Sequence, residues 1–224
     1  MKQISVVVQS RLGSQRVPRK MIRPFAGTTL VDILLEKLCS SSVITPDQIY
    51  FAVGEEELIN IGKKYPVNIH IRNQESLDQE GDPKIQFSWR HDLPTEHVVM
   101  VSACNPLLKI DTIDKFITEY QESEADEGAI SVYETHNYYW NPEGDMINKW
   151  PEGFTSMNTK YVDPTRVAAH TLYGSRVDLI DKGYWVTDKI PYRAQLITMP
   201  ELESFDIDEP WQFDVAEILY EKFK

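Results

Sequence analysis

Residues 4–20 read ISVVVQSRLGSQRVPRK. Ile4–Val8 is an almost unbroken β-branched run, the pattern of a strand buried on both faces. Directly after it come Arg11, Arg16, Arg19 and Lys20, with Gly13, Ser14 and Pro18 among them. In parallel α/β sheets ligands bind beyond the carboxyl ends of the strands. A buried strand that runs straight into a cationic turn therefore reads as the first strand and first ligand loop of such a sheet.

Outward from this stretch the chain alternates. Ile49–Val53, Val67–Ile71, Val98–Ser102 and Ile130–Tyr133 read as further strands. Thr29 and Asp32 resemble a capping box, and Leu30, Ile33, Leu34 and Leu38 follow at helical spacing. Glu55–Lys64 reads as a helix, Asp82-Pro83 as the start of another, and Asp111 as the N-cap of a helix carrying Ile113, Phe116, Ile117 and Tyr120. Glu209-Pro210 opens a last helix, with Phe213, Ala216, Leu219, Tyr220 and Phe223 expected to pack inward. Strand–helix alternation implies an α/β fold: a mostly parallel twisted sheet with helices on both faces. No repeat or boundary divides the chain, so residues 1–224 read as a single domain. One stretch departs from the alternation. Residues 136–165 are rich in Tyr, Trp, Asn, Pro and Gly and read as an excursion from the sheet. It is either a set of surface loops with a small apolar cluster or a wall over a pocket.

Charge sharpens the reading of the loop. The chain holds 35 acidic and 23 basic residues, a net charge of −12, which argues against general nucleic-acid or anionic-membrane binding. Yet no acidic residue precedes Asp32, while Lys2, Arg11, Arg16, Arg19, Lys20 and Arg23 do. A local positive field in an acidic protein suits a small anionic ligand. The two cysteines, Cys39 and Cys104, make no disulfide framework and read as buried thiols of a reducing compartment. ISVVV is too short for a signal peptide, and no run approaches a membrane span. The expectation is a soluble, cytoplasmic protein.

Gly13 and Ser14 let backbone N–H groups approach an oxyanion, and Arg11, Arg16 and Lys20 supply charge-assisted bonds to phosphates. Neither G-x-x-x-x-G-K-[ST] nor G-x-G-x-x-G is present, so this is neither a Walker A loop nor a dinucleotide fingerprint. At the other end, Asp206 and Asp208 alternate with Phe205 and Ile207. In an extended segment both carboxylates share one side, where two acids can hold a hard cation such as Mg²⁺. Asp208 alternatively caps the helix that follows.

RLGSQRVPRK (11–20) resembles the signature loop of the sugar-acid cytidylyltransferases, the family of the CMP-sialic acid (acylneuraminate) and CMP-Kdo synthetases. FAGTTLVDILLEKL (25–38) is similar to its short turn and first long helix, and VMVSACNPLL (99–108) to its central strand and sugar-side loop. HTLYG (170–174) resembles its late strand, and SFDIDEPWQFD (204–214) its closing Asp-Ile-Asp segment. The resemblance implies a Rossmann-like nucleotide-sugar-transferase fold. It implies that CTP and a sugar acid, of the nonulosonic type, give a CMP-sugar and pyrophosphate with Mg²⁺. Arg11, Gly13, Ser14, Arg16 and Lys20 would form the nucleotide-binding triphosphate loop. Lys20, Arg16 and Asp208 would be catalytic, and Asp206 and Asp208 would hold the metal.

Asn105, Asn158 and Lys160 are candidate sugar contacts, although the segment around Asn158 and Lys160 equally reads as a solvated turn. Met21 stands where many relatives have Asn, and residues 102–105 carry neither of the branch-specific residues. The sugar is left open. A nucleotidyltransferase for another acceptor or nucleotide, a glycosyltransferase with an Asp-x-Asp metal site, and an inactive nucleotide-binding relative stay as alternatives. His170 and Cys104 read as structural residues, and no zinc site is evident. The aromatic excursion could support a homodimer.

Overall fold

β1 (Ile4–Gln9) runs through the middle of a seven-stranded sheet. The computed structural model describes residues 1–79, 81–123, 128–182 and 194–223. The other strands are β2 (Ile49–Val53), β3 (Asn68–Ile71), β4 (His97–Val101), β5 (Ala129–Thr135), β6 (Thr165–Arg176) and β7 (Gln195–Thr198), in the order β3-β2-β1-β4-β6-β5-β7. Among the described residues β6 is the one strand of the sheet that runs antiparallel to its neighbours; the other strand pairings of the sheet are parallel. The helices are α1 (Leu30–Cys39), α2 (Glu56–Gly62), α3 (Gln74–Asp78), α4 (Pro83–Gln86), α5 (Ile110–Glu122), α6 (Val177–Asp181) and α7 (Pro210–Phe223).

β1 shows why the sequence makes this sheet. Ile4, Val6 and Val8 enter one core with Val31, Leu34, Leu35 and Leu38 of α1 and Ile113, Phe116, Ile117 and Tyr120 of α5. Val7 points the other way, into a second cluster with Phe87, Trp89 and Ile180. Both faces of the strand are covered, as its continuous apolar run requires. A third cluster joins the two ends of the chain: Val17, Phe25, Leu30 and Ile33 pack with Ile207, Phe213 and Ala216.

The observed boundaries correct several expectations. Thr29 caps α1, its hydroxyl accepting from Asp32 N at 3.1 Å. α5 begins at Ile110 with Lys109 as N-cap, so Asp111 lies in the first turn and complements the helix dipole. Phe223 is 51% exposed, because the last turn of α7 runs past the cluster that holds Phe213. The sequence reading missed the 12-residue length of β6, placing His170 near a strand start when it lies inside the strand. Cys39 and Cys104 are free thiols, each half-buried. No helix among the described residues is long and apolar enough to cross a membrane.

Candidate active site

The loop after β1 folds back on the third cluster. Val17 is fully buried, and the turn that follows is closed by Lys20 N–H to Val17 O at 3.2 Å. Arg19 takes a left-handed backbone, φ +56°, and its side chain turns to Glu57 at 3.1 Å. Upstream, Leu12 N–H donates to Glu55 Oε1 at 2.7 Å and Arg11 Nη1 to Leu77 O at 3.0 Å. Gly13 is outside the left-handed region, and a side chain there would meet nothing within 4 Å. Its glycine therefore keeps space open above the loop instead of permitting a strained turn.

The loop borders a cavity of about 400 Å³ beyond the carboxyl ends of the parallel strands. Arg11, Ser14, Arg16, Lys20 and Asp208 line it, joined by Arg72 and Cys104. Gly13 lies in an adjoining recess with Arg11 and Glu55. A second lobe of about 390 Å³ shares Gln9, Met21, Gln86 and Cys104 with the first and adds Ser102 and Tyr173.

Residues at opposite ends of the sequence meet here. Arg16 Nη2 contacts Asp208 Oδ1 at 2.7 Å and Arg16 Nη1 contacts Glu209 Oε1 at 3.4 Å. Lys20 Nζ donates to Ile207 O at 2.6 Å and lies 3.8 Å from Asp208 Oδ1. Ile207 is fully buried and its N–H donates to Cys104 O at 3.0 Å, so the acidic segment is pinned through its apolar residue. Asp206 and Asp208 flank that pin, as the alternation requires. Helix capping does not account for Asp208. Gln212 Oε1 reaches back to accept from Asp208 N at 2.7 Å and Glu209 N at 2.6 Å, and the Asp208 carboxylate serves the cations.

The electrostatics follow from burial. Asp206 is pushed above the usual carboxylate range, first by burial and then by the charge of Asp208; Lys20 and His170 oppose this. Its Oδ1 is buried with no hydrogen-bond partner among the described residues. An orphaned carboxylate oxygen beside a second carboxylate is a donor pair that fits a hard cation. The described residues contain no group of three or more such ligands, so such a cation would draw its remaining ligands from substrate or water. Arg72 is 4% exposed; burial, then the charge of Arg11, lowers its guanidinium to about 10. Arg72 Nε donates to Ser76 Oγ at 3.1 Å.

The other candidates fall elsewhere. Asn105 is buried, and its Nδ2 donates to Ser204 O at 3.1 Å; it does not line the cavity. Asn158 and Lys160 form an exposed turn of the excursion, in which Asn158 Oδ1 accepts from Lys160 N at 3.0 Å. Neither borders either lobe. The sequence reading missed Arg72, Gln9, Gln86 and Tyr173. Arg72 had a signal, since it directly follows β3 at the ligand-binding edge of the sheet.

A cationic first loop and a paired-acid last loop face each other across the carboxyl edge of the sheet, a charge arrangement that suits a phosphorylated ligand. The chain belongs to the cytidylyltransferase family, whose family model matches residues 5–200. It is 24% identical over 146 residues to an N-acylneuraminate cytidylyltransferase of Danio rerio, a match covering 62% of this chain and 32% of that protein. It is 22% identical over 126 residues to a pseudaminic acid cytidylyltransferase of Campylobacter jejuni, covering 53% of each. The chain thus matches about a third to a half of the length of these relatives. Among solved structures it is similar to a CMP:2-keto-3-deoxy-manno-octonic acid synthetase complexed with CTP. The TM-score is 0.68 and the identity 12%, with 98% of this chain and 99% of the other covered. A cytidylyltransferase from Leptospira borgpetersenii matches with a TM-score of 0.68 at 14% identity, over 100% and 89% of the two chains. At these identities the structures establish the shared fold.

Proposed function

We propose that this protein joins CMP from CTP to a sugar acid of the nonulosonic type and releases pyrophosphate. The observation that carries the reading is the meeting of Arg16 and Lys20 with Asp208 in a cavity at the carboxyl edge of the sheet. Membership in the family and the names of the relatives support CTP as donor and a sugar acid as acceptor. Attack of an acceptor hydroxyl on the α-phosphorus spreads negative charge over phosphate oxygens. Fixed cations stabilise that charge without a covalent intermediate. Arg11, Arg16 and Lys20 fill this role on the loop, and Ser14 adds a hydroxyl donor. Arg72, buried and braced on Ser76, adds a cation from the β3 side.

Mg²⁺ is part of the proposal, with Asp206 and Asp208 as its protein ligands. When bound it would offset phosphate charge and help orient the triphosphate. Arg16 and Lys20 would then exchange their contacts with Asp208 for contacts with phosphate oxygens. We further propose that two copies pair through the excursion, which exposes Trp140, Ile147, Phe154, Met157 and Tyr161 within one short segment. A cytoplasmic setting agrees with the free thiols and with a CTP substrate. A pyrophosphate-release screen tests the reaction: four nucleoside triphosphates against a panel of sugar acids and neutral sugar phosphates, with mass spectrometry of the product. CMP attached to a sugar acid is the expected result. Release only with a neutral sugar phosphate, or only with another nucleotide, would overturn the assignment.

A further inference from the structure

β6 breaks step at its centre. Tyr173 pairs with Met100 of β4 and Ile130 of β5, while Ala168 pairs with Val132. On the β5 side, Ala169, His170, Thr171 and Leu172 therefore stand opposite the single residue Ser131. This bulge is fastened. Ser102 N–H donates to Thr171 O at 2.9 Å, Leu172 N–H to Ser131 Oγ at 3.0 Å, and Thr171 Oγ1 to Ala169 O at 2.7 Å. Within it His170 has φ +52°. An L-residue enters that region at an energetic cost that glycine avoids. Bulges re-aim side chains and gather beside functional sites. A histidine held in this conformation at the carboxyl end of β4 points to a use for its ring.

The surroundings of the ring supply one. His170 is exposed, and its Nδ1 lies 3.1 Å from the Tyr173 hydroxyl. Tyr173 lines the second lobe of the cavity with Met21, Ser102 and Cys104. Burial, then the charge of Asp206, pushes the Tyr173 phenol up to about 12, so it keeps its proton at neutral pH. The contact admits the tautomer in which Nδ1–H donates to the phenol oxygen, and in that tautomer Nε2 carries the free lone pair. Asp206 lies within electrostatic reach, so an imidazolium formed here would have a carboxylate near it.

Of the other candidate bases, Asp206 keeps a carboxylate oxygen unpartnered among the described residues but is taken up by the cation in the reading above. Asp208 accepts from Arg16 and Glu55 from Leu12 N–H, and Lys20 donates to Ile207 O. The remaining histidines contact groups elsewhere: His70 with Asp92, His91 with Asp181, His97 with Tyr120 and His136 with Val162 O.

We propose that His170 is the general base of the reaction, taking the proton of the acceptor hydroxyl on Nε2. The assignment rests on the cytidylyl-transfer reading above. As the proton moves to Nε2, the acceptor oxygen bonds to the α-phosphorus. The bond from that phosphorus to the bridging oxygen breaks, and pyrophosphate leaves with the electron pair. His170, being exposed, then returns its proton to water.

The test uses the acceptor found in the screen and two variants that suit a left-handed backbone. His170→Gly removes the ring, and His170→Asn keeps a polar group able to bond Tyr173 but has no basic nitrogen. Both are expected to melt no lower than the parent and to lose about 100-fold or more in kcat. Added imidazole is expected to restore turnover to His170→Gly, with rescue rising with the basicity of the azole used. Parental turnover in either variant would overturn the assignment. So would a loss that no azole rescues, which would make His170 a positioning residue. If the parent releases no pyrophosphate with any acceptor, the reading of function itself fails and this assignment falls with it.

Discussion

The edge that carries the candidate site and the excursion at 136–165 are built in opposite ways. At the edge, side chains some 190 positions apart in sequence meet. Arg16 and Lys20 face Asp208, and Val17 and Ile207 are buried in the same cluster beneath them. The excursion is held by near neighbours: Ile147 N–H to Tyr139 O at 2.8 Å, Asp145 N–H to Asn141 Oδ1 at 2.7 Å, and Tyr138 against Trp150 with ring centroids 5.1 Å apart. It leaves Ile147 69% and Met157 63% exposed. The candidate site is thus a product of the whole fold, because its loops end in core residues. The excursion is a local structure on that fold, and its exposed apolar surface is available for contact.

The largest effect expected at the edge is that of Asp206→Asn, which keeps the shape and removes the charge. Turnover should fall about 100-fold or more, on the order of what losing one electrostatic stabiliser of a transition state costs. Stability should move the other way. The folded state raises the Asp206 pKa, so folding takes up protons, and its charged form opposes folding above that raised value. Asp206→Asn should therefore melt above the parent at neutral pH, and the gain should vanish as pH falls through the ordinary carboxylate range. Melting curves between pH 3 and pH 8 check this; a variant less stable than the parent at neutral pH would contradict it.

Next in size is a paired substitution. Arg16→Ala removes a charge-assisted phosphate contact and should weaken CTP binding about tenfold, equivalent to about 1.5 kcal/mol. Lys160→Ala, on the excursion, should leave CTP affinity unchanged. Equal losses from the two would erase the distinction between the regions. Val17→Ala probes the shared anchor. Deleting two buried methyl groups should cost about 2 kcal/mol by chemical denaturation. It should also raise the KM for CTP, because the loop above it loses its hold. The smallest stability change belongs to Ile147→Ser, within about 0.5 kcal/mol for the folded protomer. Its readout is mass in solution by light scattering: the pairing proposed for the excursion predicts a shift from dimer towards monomer.

What was legible in the sequence divides along the same line. β1, α1 and the loop between them are local patterns, and Ile4–Val8, Thr29 and the cationic run announced them directly. Asp206 and Asp208 were legible because alternation in an extended segment is also local. Arg72 carried a local signal, its place directly after β3, whereas Tyr173 enters the site through strand order, which brings β6 beside β4, and no local pattern encodes that order. Asn105 misled for the converse reason. Its neighbourhood in sequence resembles the family's sugar-side loop, but its side chain is buried against Ser204 O. His170 was read as structural because a histidine at the start of a strand usually is. Its left-handed backbone follows from the bulge, which only the pairing with β5 reveals.

One titration tests the triphosphate site most directly: CTP into the parent protein and into Lys20→Ala, followed by calorimetry with Mg²⁺ present. The parent should bind CTP more tightly than UTP, GTP or ATP. Lys20→Ala, with a parental melting temperature, should bind CTP about 10- to 100-fold more weakly, the worth of one charge-assisted contact of roughly 1.5–3 kcal/mol. Undiminished CTP affinity in a folded Lys20→Ala protein would contradict the claim that the two ends of this chain meet to form the triphosphate site.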